Sequence, residues 1–258
     1  MKNIIFLFAL SVIALSSCSD DKTPTDPGGD TNSALLPSTV GSYWINTNVE
    51  TTPPPNPAPD EDTRTTDSSV VIGNSTYQGR QATSVVYYVN GAVAETTYYN
   101  QNSNELFSYT SGIQTDFFSL PAGWVKLADY TATSWKPFPD TTLVDNPITF
   151  QGINAVVNGT VTSNSTRGGT STVTIDNKSY TATQFTSTIS MNLRATAMFG
   201  PQPIEIPLKF DIVSRVQHVK GIGVVSAITD GFNVSAGSFG SFPSNGNQTT
   251  LLRFKINP

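Results

Sequence analysis

The residues able to do covalent or metal chemistry in this chain are few: it has one histidine, His218, and one cysteine, Cys18. A Ser-His-acid triad needs an imidazole to take the serine proton and a carboxylate to orient that imidazole, so any such site must be built on His218. That histidine continues the row Ile212, Ser214, Val216, His218 at the end of a predicted strand. The position suits a core or rim histidine with a satisfied ring better than a general base. No Gly-x-Ser-x-Gly elbow, Walker loop or cluster with metal-ligand spacing occurs, so no catalytic residue, cofactor or metal is assigned from sequence. Glycoside hydrolysis asks only for two carboxylates about 5–10 Å apart. Glu95, Asp116, Asp129, Asp140 and Asp145 are available, and nothing in their spacing pairs them. Trp124, Trp135 and Phe138 stand among Pro121, Pro137 and Pro139 in a segment with few strand signals. Exposed, the two indoles would stack on sugar rings; the expectation is that they plug an open end of the fold, because large aromatics are mostly buried.

Composition narrows the partners. Charged residues make up 13% of 258 residues and aromatics 10%, at a net charge of −5. A disordered chain combines few aromatics with high net charge, and a nucleic-acid binder needs a basic footprint; 14 basic against 19 acidic residues supply none. The polar remainder is rich in Ser, Thr, Asn and Gly, and the length suits one all-β domain.

Met1 to Cys18 has the layout of a secretory signal, with Lys2 as the positive start, an apolar run from Ile4 to Leu15, and small residues after it. The run is too short for the roughly 20 residues that a membrane-spanning helix needs. Its end, Leu15-Ser16-Ser17-Cys18, resembles the lipobox of bacterial lipoproteins. The resemblance implies cleavage before Cys18 and acylation of its sulfur and amine, and two or more chains make a stable anchor where one does not. Ser19 is not the Asp that resembles an inner-membrane retention signal, which favours the outer membrane. Cys18-Ser19-Asp20-Asp21-Lys22 also resembles the acidic tag that directs some lipoproteins to the cell surface. Residues 1–17 are thus expected to be removed, and 18–38, with Pro24, Pro27, Gly28 and Gly29, to form a flexible tether of about 25 Å r.m.s. reach.

From residue 39 to 258 the chain reads as a single antiparallel β domain of about ten strands, a meander curled into a half-barrel or sandwich, with little helix outside the signal. Runs of β-branched and aromatic residues are closed by turn pairs such as Asn90-Gly91, Gly168-Gly169, Asp176-Asn177 and Asn245-Gly246. Pro53, Pro54, Pro55, Pro57 and Pro59 mark residues 51–62 as an extended loop; its acidic end, Asp60-Glu61-Asp62, lacks the alternation and Gly of a calcium loop and reads as a solvated tip. Asn90-Gly91 pairs Val89 with Ala92, which puts Val85, Tyr87, Val89, Ala92, Ala94 and Tyr98 on one face and Val86, Tyr88, Val93, Glu95 and Tyr99 on the other. Between Phe185 and Phe199 the odd positions are mostly apolar, and from Ile204 to Ile212 the even ones are. A four-residue turn opposes Phe199 to Ile204 and puts both rows on one face. That face, with Phe185, Ile189, Met191, Leu193, Ile206, Leu208 and Phe210, is the predicted site for a lipid or hydrophobic small molecule.

Leu36-Pro37-x-x-Val40-Gly41-x-x-Trp44 and the late Val219-Lys220-Gly221-Ile222-Gly223-Val224-Val225 resemble uncharacterised exported bacterial lipoproteins, several of them similar to the open half-barrels of lipoprotein-localisation factors. The resemblance implies a fold and no chemistry. The expected function is therefore a lipid-anchored, non-enzymatic outer-membrane or surface protein that binds a hydrophobic ligand on its curved apolar face. A surface interaction module with a self-filled core and a glycan-binding or glycan-cleaving accessory protein are the alternatives.

Overall fold

Two-residue turns in which both residues take positive φ match the twist of antiparallel strands, and three of them, at Gln78-Gly79, Asn90-Gly91 and Asp176-Asn177, fold this chain back on itself. The structure, a computed structural model, describes residues 34–114, 119–150, 153–199, 202–235 and 240–258. Residues 1–33, with the signal, Cys18 and most of the tether, lie outside them, as does Asp116. The strands are β1 (Tyr43–Thr51), β2 (Pro59–Tyr77), β3 (Arg80–Val89), β4 (Ala92–Gln101), β5 (Glu105–Thr110), β6 (Ile113–Gln114), β7 (Ser119–Leu120), β8 (Gly123–Asp129), β9 (Ser134–Trp135), β10 (Thr141–Phe150), β11 (Ile153–Ile175), β12 (Lys178–Phe199), β13 (Gln202–Val219), β14 (Gly223–Thr229), β15 (Phe232–Ser235), β16 (Ser241–Ser244) and β17 (Gly246–Lys255). No helix occurs among the described residues.

The expected all-β, curled antiparallel sheet is present and larger than anticipated. One 13-stranded sheet runs β10-β11-β12-β13-β14-β17-β1-β2-β3-β4-β5-β8, with β9 added to β11 beyond the end of β10. The meander is broken where β17 inserts between β14 and β1, so the first and last of the described strands pair in mid-sheet. The hairpins β6–β7 and β15–β16 stand apart from this sheet.

On a flat sheet β5 and β12, eight positions apart, would be separated by about 38 Å. Leu106 of β5 and Phe185 of β12 instead share one buried cluster and line one cavity, so the sheet curls until its two edges face each other. Residues 130–133 strap the gap. Tyr130 N–H donates to Asn104 O on the β8 side, and Arg167 N–H of β11 donates to Thr133 O on the other. Asp129 shapes the start of the strap: its Oδ1 accepts from Thr131 N–H, Ala132 N–H and the Thr131 hydroxyl, and its Oδ2 accepts from Lys126. Burial works against its ionised form, but these donors outweigh it and hold the carboxyl well below the usual range.

Four expectations shift here. The body begins before residue 39, because Leu35 and Leu36 are buried in the main cluster and Gln101 brackets the Leu36 backbone from both sides. The Pro-rich loop is shorter than 51–62: Thr51 pairs with Pro59 and Glu50 with Asp60, which works because Pro59 takes the first position of a strand, where a missing N–H is tolerated. Gly168-Gly169 is not a turn but an irregularity inside the 23-residue β11, the register shifting between Arg167 and Thr170. The β12–β13 hairpin pairs Phe199 with Gln202 and Ala197 with Ile204. That is a slip of two from the expected register, and because side chains alternate with period two, both apolar rows still share a face.

Candidate functional site

The inner face of the curled sheet holds two apolar clusters. The first joins Trp44, Val71, Val85, Tyr87, Tyr99 and Leu106 to Ile175, Phe185 and Ile222 from the opposite half. Trp44 Nε1 donates to Ile222 O at 2.7 Å and so ties β1 to the β13–β14 turn. The second cluster lies at the other end of β11, β12 and β13.

The seven predicted ligand residues divide between these clusters. Phe185 belongs to the first, while Ile189, Met191, Leu193 and Leu208 are buried in the second and Ile206 and Phe210 pack against it. The chain itself covers them. Val234 of β15 is buried there, Phe232 stacks on Phe210 with ring centroids 4.9 Å apart, and Phe242 and Phe138 pack alongside. The β15–β16 hairpin thus occupies much of the face that the strand pattern leaves uncovered.

Inside the curled sheet remains a cavity of about 90 Å³, lined among others by Leu106, Val125, Leu127, Phe138, Phe185 and Ile189. Phe185 and Ile189 are the two predicted residues that reach it. His218 also lines it, at 1% exposure, with Asn247, Ser214 and Thr229. Alternation along β13 foretold a buried His218, but not its partner, because Tyr130 is 88 residues away in sequence. The Tyr130 hydroxyl lies 2.8 Å from His218 Nδ1, and the Phe185 ring meets Tyr130 edge-on at 5.2 Å. With the phenol donating to Nδ1, the ring hydrogen of the neutral imidazole sits on Nε2. Burial, and then the positive charge of Lys220, push the His218 pKa down from 6.5 to about 3. Burial also raises the Tyr130 phenol to about 12. This pair has no carboxylate in the third position of a triad, and it is held as neutral donor and acceptor.

A buried neutral histidine makes stability depend on pH with a definite sign. Its folded pKa lies below its unfolded value, so its contribution is whole above pH about 6.5 and declines toward pH 3, by up to about 1.4 kcal/mol per unit. Desolvation raises the carboxyl pKa values of Asp67 and Glu95, which act in the opposite sense. The expected result is a fall in urea midpoint between about pH 6.5 and 5 that the His218→Gln variant does not share. An unchanged wild-type midpoint over that range would show the ring to be solvated.

The predicted tryptophan pair is split by the sheet. Trp135 of β9 points inward, its Nε1 donating to Lys126 O at 3.0 Å and its ring meeting Phe185 edge-on. Trp124 of β8 stands on the outer face opposite Tyr109, in a row where Tyr77 stacks on Tyr98 at 3.6 Å and Arg80 lies over Phe107 and Trp124. No single platform contains both indoles. Tyr99 joins Tyr87 on the inner face, hydroxyl to hydroxyl, and Tyr98 turns outward. This reverses the expected faces of β4 from Glu95 onward, whereas Val89 with Ala92 and Tyr88 with Val93 pair as expected. The register shifts between Tyr87 and Tyr88, and one extra residue flips every later side chain.

The carboxylates named from sequence have separate engagements among the described residues. Asp140 pairs with Lys136, Asp145 N–H donates to Asn158 Oδ1, and Asp129 is engaged in the strap. Among the described residues no group of three or more His, Cys, Asp or Glu is placed to hold a metal ion, and Glu61 of the acidic stretch pairs with Arg64 at 2.6 Å.

Similar solved structures include a candidate lipoprotein of Parabacteroides distasonis, 9% identical, with a TM-score of 0.45 over 87% of this chain and 99% of that one. A candidate exported protein of Bacteroides fragilis with a YmcC-like fold is 11% identical, with a TM-score of 0.37 over 86% and 99% of the two chains. No protein-family model matches this sequence, and no curated protein does.

Proposed function

We propose that this protein is an exported, lipid-anchored β module of the bacterial outer membrane or cell surface that acts by binding and not by catalysis, its ligand a small hydrophobic or amphiphilic molecule held inside the curled sheet. The observation that carries the binding site is the cavity of about 90 Å³ lined by Phe185, Ile189 and residues Val125 to Ala128 of β8, walled mainly by apolar side chains. Pockets for drug-sized ligands run to about 300 Å³ and more, so the occupant that fits is a small one, not a whole lipid. Anchorage rests on Leu15-Ser16-Ser17-Cys18. The residues between Cys18 and the buried Leu35 allow a reach of about 20 Å, which holds the body close to the lipid surface.

Anchorage and binding are tested separately. Cys18→Ser is expected to move the whole protein from the membrane to the soluble fraction; protein that stays with the membrane would end the anchor reading. Native mass spectrometry of protein taken gently from the envelope is expected to show a small added mass. A bare mass favours the second reading, a surface interaction module, which the β15–β16 hairpin supports by filling the apolar face with the chain's own Phe232, Val234 and Phe242. For the glycan alternative the informative variant is Trp124→Ala, because a deletion from Trp124 to Asp145 would also remove most of the edge strand β8 and the strap.

A further inference from the structure

Charge is divided unevenly between the two ends of the curled sheet. One end is made by the β13–β14 turn, the start of β1 and the close of β17. Trp44 ties these together, since it pairs with Phe254 of β17 while its Nε1 donates to Ile222 O of the turn. Phe254 packs against the inner cluster, so its neighbours Arg253 and Lys255 project outward, and both are exposed. Lys220 of the turn is exposed as well, its ammonium 4.5 Å from the centre of the Tyr130 ring. None of these three cations pairs with a carboxylate among the described residues. Glu105 and Asp129, on the strap side of this end, are spent on Lys126. Asp176 sits on the β11–β12 turn, which Tyr180 holds edge-on against Phe254 at 5.9 Å, and Lys178 follows it on the same turn. The opposite end is acidic. At the close of β1, about 26 Å from its start, Glu50 stands opposite Asp60, Asp62 is exposed beside them, and Glu61 is the acid there that an arginine, Arg64, meets.

The chain enters the body at the basic end: Gly221 N–H donates to Ala34 O at 2.8 Å, and Gln101 brackets the Leu36 backbone. The residues between Cys18 and this point allow a reach of only about 20 Å, so an anchor on Cys18 brings this end, and not the acidic one, to the lipid surface. We propose that the rim of Lys220, Arg253 and Lys255 docks on the anionic phosphate headgroups of the leaflet that holds the anchor, so that the curled sheet stands with its β1–β2 loop away from the membrane. This rests on the anchor reading above. Each cation close to an anionic lipid surface contributes about 1 kcal/mol, over a range of about one Debye length. Three of them orient a body that the acyl chains already hold, but against a net charge of −5 they do not hold it alone. The other candidate partner is the preceding segment, with Asp20, Asp21, Asp26 and Asp30. Its acids are separated by Pro24, Pro27 and two glycines and meet the rim one at a time, whereas a fluid plane of headgroups meets all three cations at once.

The experiment uses the acylated full chain in vesicles. Its single cysteine is the anchor, so an introduced Ser179→Cys near the rim, or Asn56→Cys in the β1–β2 loop, carries the one fluorescent label, and energy transfer to an acceptor on the lipid headgroups reads the height of each end. In vesicles of equal phosphatidylglycerol and phosphatidylcholine, the label at 179 is expected to transfer well above the label at 56. Phosphatidylcholine alone, or salt at about 1 M, where the Debye length is about 3 Å, should remove that excess. Lys220→Gln should lower the ratio of docked to undocked protein about fivefold, the equivalent of about 1 kcal/mol, and reversing all three charges to Glu should abolish docking at an unchanged urea midpoint. Equal transfer in both kinds of vesicle and at both salt concentrations, from protein that floats with the vesicles, would overturn the docking and leave the anchor standing. An excess that persists on phosphatidylcholine and disappears with Asp26→Asn and Asp30→Asn would overturn it in favour of the tether as the rim's partner. Protein that floats with neither vesicle would end the anchor reading and the docking with it.

Discussion

Phe185→Ala is expected to lower the stability of the protein by about 3–5 kcal/mol, the range for a fully buried phenylalanine truncated in a core. Phe185 is 2% exposed and belongs at once to the main cluster and to the cavity wall. Its ring meets Tyr130 at 5.2 Å, Trp135 at 5.9 Å and His218 at 6.4 Å, each edge to face. These contacts set the strap's Tyr130, β9 and β13 against β12, so the loss combines buried area with specific aromatic pairing. The void left behind would merge with the existing cavity, giving a space able to take benzene. Urea denaturation should show a lowered midpoint at an unchanged slope, and saturating benzene should raise the variant's midpoint more than the wild type's. A change below about 1 kcal/mol would mean that the strap collapses onto β12 and refills the site.

Gly159→Ala should cost a comparable amount for a backbone reason. Gly159 has φ of +139° in β11 and faces Leu193 of β12. A Cβ there would overlap the Asn192 carbonyl oxygen and come within 2.8 Å of the Leu193 Cα. Both are main-chain atoms in a long ladder and cannot swing aside. Strain at a conformation that L residues avoid is worth about 1–3 kcal/mol and overpacking about 1–3 more, so a loss of about 2–6 kcal/mol is expected. Gly169→Ala on the same strand is the control, because nothing lies within 4 Å of its new methyl group. It should change the urea midpoint by no more than an ordinary surface substitution, within about 0.5 kcal/mol. Equal effects at the two glycines would show that the β11–β12 spacing is looser than described.

Much of this was legible from the residues. Alternation with period two put Phe185 to Ala197 of β12 and Ile204 to Ile212 of β13 on their correct faces, and the Asn90-Gly91 and Asp176-Asn177 pairs marked their turns, because strand geometry and positive-φ turns depend on neighbours in sequence. What failed was decided by register: the shift after Tyr87 exchanged Tyr98 and Tyr99 between faces, and turn composition alone did not reveal that Gly168-Gly169 would be absorbed inside a strand.

The fate of the apolar face lay beyond sequence for a different reason. Its existence follows from local alternation, but whether it is open or filled depends on segments distant in the chain. The β15–β16 hairpin, Phe138 and the Tyr130 strap reach it only because the 13-stranded sheet curls. The same curl sets Tyr130 against His218. The sequence by itself determined a β chain with one-sided strands; tertiary closure decided which of those side chains meet, because contacts between residues this far apart are selected by the packing of the whole sheet and not by the periodicity of any one strand.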